Sequence, residues 1–279
     1  MNKAYIRFPD FKRKALTLSY DDGGRQDKRL IAIMKEHGLK GTFNINSGLF
    51  GDTYDGKEVG NMTPQEALEL YIPSGMEVAV HGYKHLSLPL VDSAVAVNDV
   101  CADRKELEKM FGRIIKGMAY ANGAYNDSVV EMLKQNGISY ARTTVSTEKF
   151  SLPSDWLRLP TTCHHNNPRL MELAKMFVEQ KEYPYYWNNA AQMFYLWGHS
   201  WELDNNDNWN VIEEFAEYMG NREDIWYATN GEIFEYLQAC ERLQFSMDAT
   251  FVYNPSCMDV WIDYLGKKCI IPAGKTVRL

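Results

Sequence analysis

Hydrophobic and polar positions along this chain switch between two periods. Residues 15–20 (Ala-Leu-Thr-Leu-Ser-Tyr) form a short, mostly apolar run that predicts a buried strand. From 27 to 37, Leu30, Ile31, Ile33 and Met34 recur at helical spacing, and Gly38 follows as a helix-ending residue. The alternation then repeats. Strands are predicted at 41–46, 76–80, 114–120, 138–144, 193–198 and 225–229. Helices are predicted at 63–72, 92–111, 126–136, 169–181, 209–219 and 231–243. Thr63-Pro64-Gln65-Glu66 has the form of a capping box, and Asn126 and Asn230 are expected to cap their helices. The stretch 148–167, punctuated by Pro153, Pro160 and (just beyond it) Pro168, reads as irregular.

Alternating strands and helices imply right-handed βαβ units in a parallel sheet or barrel, an α/β fold. The tail departs from this: 250–254, 259–263 and 269–271 are strand-like with no helix between them, which predicts a small β appendage. With no internal repeat or linker, 1–279 reads as one domain, the barrel at about 14–244 and the appendage at about 245–279.

Composition narrows the partners. At 279 residues and 45% hydrophobic content the chain can fill one barrel core, for which about 200–250 residues is routine. A formal charge of −7 and a pI near 5.5 argue against nucleic acid, which needs clustered Lys and Arg. No basic amphipathic helix and no apolar run of about 18 residues suggests a membrane. Five scattered cysteines without a C-x-x-C, together with an N-terminal stretch lacking a signal-peptide core, lead us to expect a reducing, cytoplasmic setting. Nothing in the pattern fixes an oligomeric state.

The chemistry collects at strand ends. Asp21 and Asp22 close the first strand and precede Gly23 and Gly24. Adjacent strand residues face opposite ways, so both carboxylates can serve one site only if the backbone turns, which the glycines permit. Two neighbouring carboxylates also call for a cation. His81 and His85 follow the third strand at i and i+4; if a helical turn starts there, both imidazoles reach one ion. Two histidines and one aspartate match the donor count of a catalytic zinc-type site with an open position. His199 follows the sixth strand and is a candidate general acid, since imidazole titrates near neutrality. Each alone has a plain structural reading, as cap, core or surface histidine. The same two readings stay open for the aromatic group Tyr185, Tyr186, Trp187, Trp197 and Trp201, a sugar-stacking face or core. They stay open too for Glu202 and Glu232, in the pocket or at helix starts, and for His164 and His165, pocket-lining or loop. Nothing marks Cys163 as an activated nucleophile.

Taken together the set resembles the NodB-homology polysaccharide deacetylases, carbohydrate esterase family 4. Ser19-Tyr20-Asp21-Asp22-Gly23 matches that family's T-[FY]-D-D-G with Ser for Thr, and His81 to His85 matches H-[ST]-x-x-H with Gly82 at the second place. Gly41-Thr42-Phe43-Asn44 resembles its T-F-F stretch, and Trp197-Gly198-His199 its late histidine motif. The resemblance implies a distorted parallel barrel of seven strands and a divalent metal, Zn²⁺ by preference, on Asp22, His81 and His85. It also implies Asp21 as general base and His199 as general acid, acting on an acylated carbohydrate. Such an ion would acidify bound water and polarise the acyl oxygen.

Two motifs depart. Where the family has R-x-P-[YF]-G, this chain has Ala119-Tyr120-Ala121-Asn122-Gly123. The glycine keeps a turn with an oxyanion-binding N–H at Asn122, and Tyr120, at the variable second place, is a candidate substrate-binding residue. The arginine that holds down the base's pKa is absent, and Arg142, near the end of the fifth strand, is the candidate substitute. No D-x-x-D-W is found; Pro160 to His165 occupies its place. These changes leave two alternatives to N-deacetylation of a sugar: hydrolysis of a small amide or O-acetyl ester, or carbohydrate binding without catalysis.

Overall fold

In the computed structural model the described residues are 4–54, 57–58, 60–180 and 189–279. Strands are joined in parallel in the order Cys163–His164, Gln192–His199, Lys14–Asp21, Gly41–Ile45, Glu77–Val80, Gly117–Ala119, Tyr140–Ser146 and Leu159–Thr161. The first and last of these are one stretch of chain. Leu159–Thr161 pairs with Tyr140–Ser146, and after Thr162 the same segment pairs with Gln192–His199 as Cys163–His164. The Thr162 N–H donates to the Tyr195 carbonyl at 2.9 Å, so the kinked segment closes the ring. Counting it once, seven parallel staves form the barrel.

The number of staves agrees with the sequence expectation, but their membership does not. The stretch expected to be irregular supplies a stave, hidden because Pro160 argues against a strand interior. The strand expected at 225–229 is reduced to Ile225–Tyr227, a short addition beside the start of Lys14–Asp21. The central strands Lys14–Asp21 and Gly41–Ile45 are buried at every position, as staves covered on both faces must be.

Helices pack outside the ring. Asp27–Glu36, Ser93–Phe111, Leu170–Glu179 and Trp209–Met219 turn their apolar residues onto the strands. The capping box at Thr63 is present, with both reciprocal bonds to Glu66, and Asn126 caps its helix through Val129 N–H. The last helix, Asn230–Glu241, is capped by Thr229 rather than Asn230, because Glu232 completes a second box with Thr229. Asn230 is buried instead and bonds Thr17 and Tyr195.

The C-terminal strands form two small antiparallel sheets. One pairs Val260–Tyr264 with Lys267–Ile271 and with the N-terminal strand Ala4–Arg7. Tyr236 ties it to the barrel, accepting from Trp261 N–H at 3.0 Å and donating to the Arg7 carbonyl. All five cysteines are free thiols. Among the described residues no helix is long and apolar enough to cross a membrane.

Asp27, the first residue of its helix, is fully buried and accepts from the Tyr71 hydroxyl at 2.5 Å. Burial raises its pKa to about 7, well above the unfolded value. The stability it contributes is therefore complete below about pH 4 and lost as pH rises through 7. Asp27→Asn should gain stability relative to the native chain between pH 5 and pH 8, measured by urea denaturation. An unchanged difference between the two would contradict this assignment.

Candidate active site

The cluster is built by strand register. Asn44, Asp21 and His199 sit directly opposite one another on three adjacent parallel strands, at their C-terminal ends. Asn44 Nδ2 donates to Asp21 Oδ1 at 2.8 Å and to Ser19 Oγ at 2.9 Å. One residue later the chain turns. Asp22 and Gly23 both take positive φ, 77° and 68°, so it is Asp22 itself and one glycine, not the two glycines, that reverse the strand. A Cβ at Gly23 would lie 2.9 Å from Ile45, which makes glycine necessary there. The turn brings Asp22 round to the site of Asp21.

His81 and His85 come from a loop rather than a helical turn: His85 lies in the left-handed region at φ 54°, and Gly82 at φ 87°. Gly82 replaces the hydroxyl residue of the resembled motif for a steric reason, since a Cβ would stand 2.5 Å from Asp99 Oδ2. The loop is held from behind by the helix Ser93–Phe111. Asp103 Oδ2 accepts from His81 N–H at 3.0 Å, and its Oδ1 accepts from Ser47 N–H at 2.7 Å. Asp99 Oδ1 accepts from Lys84 N–H at 2.8 Å, and Asn46 Nδ2 donates to the His81 and Gly82 carbonyls. Burial pushes the Asp103 carboxyl up to about 6.

His81 Nδ1 lies 2.9 Å from the Ala119 carbonyl and donates to it, which leaves Nε2 facing the carboxylates. That nitrogen is buried, has no hydrogen bond, and stands 3.4 Å from Asp22 Oδ1, with His85 Nε2 3.5 Å from the same oxygen. The donor atoms of Asp22, His81 and His85 all lie within 4.8 Å of one another. An orphaned imidazole nitrogen converging with a second one on a carboxylate oxygen fits a zinc-type ion. Asp22 Oδ2 is meanwhile occupied by Trp201 Nε1 at 2.9 Å.

Arg142 reaches Asp21 from the neighbouring side. Its residue is directly paired with Ala119 across adjacent strands, so a guanidinium rises one strand over from the position where the resembled motif carries it. It is fully buried, contacts Asp21 Oδ2, and lies 4.4 Å above the Trp197 ring. Burial alone would raise the Asp21 pKa, but Arg142, then His81 and His199, outweigh it and hold the carboxyl below its ordinary value. Asp22 is held well below the usual range despite burial, by His81, His199 and Trp201. Burial lowers His81, yet Asp21 and Asp22 carry its pKa up to about 8. His199 Nε2 is 3.9 Å from Asp21 Oδ2 and its Nδ1 3.2 Å from Glu202 Oε2; burial lowers its pKa, and these carboxylates more than reverse that.

The remaining candidates divide. His164 and His165 both approach Glu202 Oε2, at 3.1 and 3.2 Å. Glu202 thus belongs to the cluster, whereas Glu232 serves its helix start and Lys40. Tyr120 is turned away: its buried hydroxyl donates to the Leu157 carbonyl at 2.7 Å. Asn122 sits in the left-handed region at φ 56° in the turn after Ala119, its side chain donating to Ser87 Oγ. Burial drives the Cys163 thiol up to about 12, so it is inert. Tyr185, Tyr186 and Trp187 lie outside the described residues. An open cavity of about 470 Å³ adjoins Asp22 and His85, lined also by Gln26, Asn46, Asn61, Trp201 and Asn205.

The sequence reading missed Asn44, Asp99 and Asp103 as supports. The signal for the last two was present: carboxylates at i and i+4 of a helix whose charged face looked solvent-directed, with Ala96, Val100 and Leu107 packed on the same side.

Fold and site together define a parallel α/β barrel with an imidazole–carboxylate cluster at its C-terminal mouth. Residues 9–141 match the family model described as polysaccharide deacetylase. No curated protein matches the chain in sequence. Among solved structures, a probable polysaccharide deacetylase from Pseudomonas aeruginosa PAO1 is similar over 81% of this chain and 91% of that one, at 15% identity and a TM-score of 0.59. Puue allantoinase is similar over the same shares at 14% identity and a TM-score of 0.59. The Streptococcus pyogenes deacetylase PplD, solved with acetate, aligns over 51% of this chain at 21% identity and a TM-score of 0.45; the chain spans 62% of its length. At these identities the likeness establishes the fold.

Because His81 must be neutral to ligate, an ion on this triad competes with a proton released near pH 8. Zn²⁺ affinity, measured by competition with a chelating dye, should fall at least about tenfold from pH 8 to pH 6. Asp22→Ala should lose the ion held by this triad. Affinity independent of pH would contradict the assignment of His81.

Proposed function

We propose that the protein is a metal-dependent hydrolase that removes an acyl group, N-acetyl in the first instance, from an amino sugar. The ion would be divalent, Zn²⁺ by donor type, held by Asp22, His81 and His85. When bound there, such an ion supplies Lewis-acid polarisation and acidifies water.

The observation that carries the reading is the division of labour between two adjacent carboxylates. Asp21 is fixed at both oxygens, by Asn44 and by Arg142, and its pKa is lowered, so it stays ionised and ready to take a proton. In this reading it is the general base. His199 stands across the same row with Glu202 beside its Nδ1 and its pKa raised, which favours the protonated form. It would donate to the leaving amine, without which the tetrahedral adduct collapses to substrate. The Asn122 N–H, in the turn next to the carbonyl that orients His81, is the proposed oxyanion donor, an interaction worth about 3–4 kcal/mol where measured elsewhere.

The cavity agrees with a neutral, hydroxyl-rich ligand. Gln26, Asn61 and Asn205 offer carboxamides that both donate and accept, Asn46 offers only its oxygen because its amide hydrogens go to the His81 and Gly82 carbonyls, and Trp201 offers an indole. Asn46 Oδ1 in particular is buried without a partner.

The test is acetate release from a panel of N-acetylated and O-acetylated saccharides and small cyclic amides, with Zn²⁺ or Co²⁺ added. Asp21→Asn should lower kcat by about 10²–10⁴-fold while retaining metal. Full activity in Asp21→Asn would refute its role as base. Cleavage of the amides alone would move the substrate away from sugars.

A further inference from the structure

Beside the triad lies a second convergence of metal-type donors. The closing stave ends on His164, with His165 next in the turn, and the short helix Ser200–Asn205 folds back at once after the neighbouring strand, bringing Glu202 to them. Three imidazole nitrogens then crowd one oxygen: Glu202 Oε2 is 3.1 Å from His164 Nε2, 3.2 Å from His165 Nε2 and 3.2 Å from His199 Nδ1. It also accepts from the His199 backbone N–H at 3.3 Å. A carboxylate oxygen has about two lone-pair directions, so this demand exceeds what it can satisfy.

The shortfall is visible. His165 is completely buried, and its Nε2 has no hydrogen bond, nor has the buried Nδ1 of His199. The His165 ring is nevertheless locked in place. It stacks on Tyr20 with centroids 5.7 Å apart, its Nδ1 is 3.3 Å from the Tyr20 hydroxyl, and Gly198 clears the space, since a Cβ there would stand 2.1 Å from Nδ1. An outer partner on Nδ1 with a bare Nε2 aimed at a carboxylate is how ligating histidines are held. His81 has the same arrangement in the first cluster.

We propose that His164, His165 and Glu202 form a second binding site for a divalent transition-metal ion, distinct from Asp22–His81–His85 and bordering it at His199. The donor atoms of the three lie within 4.8 Å of one another. Two imidazoles and one carboxylate select zinc, copper or nickel over magnesium or calcium. His164 is the weakest donor. The Asn166 N–H donates to its Nδ1 at 3.1 Å, which keeps the ring proton on Nε2 until an ion displaces it and that contact yields.

Metal binding can be read without any substrate. Chelator-stripped protein would be reloaded with Zn²⁺ or Co²⁺ alone, desalted, and its metal content and Co²⁺ absorption measured. The Asp22→Ala variant removes the first site and should still retain one ion per chain at micromolar Zn²⁺. That ion should be lost in Asp22→Ala combined with Glu202→Gln, and weakened at least tenfold when Asp22→Ala is combined with His164→Ala, whose side chain is at the rim. Far-UV circular dichroism on each variant separates loss of the ion from loss of the fold. Asp22→Ala holding no ion, or a folded Asp22→Ala/Glu202→Gln variant holding it unchanged, would overturn the second site. Neither result touches the assignment of the first triad, whose own failure would appear as an unchanged ion count on replacing Asp22.

Discussion

The structure turns on one buried ion pair. Arg142 and Asp21 are both sealed from solvent at the mouth of the barrel, where an isolated charge of either sign would be strongly disfavoured. Each makes the other tolerable, and the Trp197 face and Asn44 amide complete their surroundings. Removing one partner would strand the other, which is why such pairs are costly to break even when they add little net stability. The pair also sets the electrostatics of the neighbours. An Asp21 kept ionised raises the pKa of His81 and His199, and the two histidines in turn hold Asp22 low.

Register explains how so many charges meet without a long-range search for geometry. In a parallel barrel residues at the same level of adjacent strands share a rim, so Asn44, Asp21 and His199 converge simply because their strands are in step. Ala119 and Arg142 occupy paired positions on the next strands round. A small residue at one and a long cation at the other therefore delivers a guanidinium to the same carboxylate. Behind the rim, Asp99 and Asp103 spend their carboxylates on backbone N–H groups, holding a histidine loop that has no regular structure of its own.

Much of this is legible in the sequence. The alternation of apolar periods gives the barrel, and Asp21, Asp22, His81, His85 and His199 each follow a recognisable strand. What was not legible depends on pairing rather than pattern. Leu159–His164 is a stave only because strands on both sides accept it, and Pro160 pointed the other way. The positive φ of Asp22 and His85 reflects the turn and loop that seat them, which spacing alone does not reveal. Glu202 reads as a helix-start glutamate and does accept the His199 N–H there, yet the same carboxylate faces three imidazoles contributed by two strand ends.

The central claim is that Arg142, relocated by one strand, governs the protonation of Asp21. The direct measurement is the side-chain carboxyl titration of Asp21 by ¹³C NMR in the native chain, Arg142→Lys and Arg142→Ala, with the fold monitored alongside. The account predicts that Asp21 titrates below the ordinary carboxylate range in the native chain, moves up by about one unit or more in Arg142→Ala, and falls between the two in Arg142→Lys. An Asp21 titration unmoved in a folded Arg142→Ala variant would contradict it.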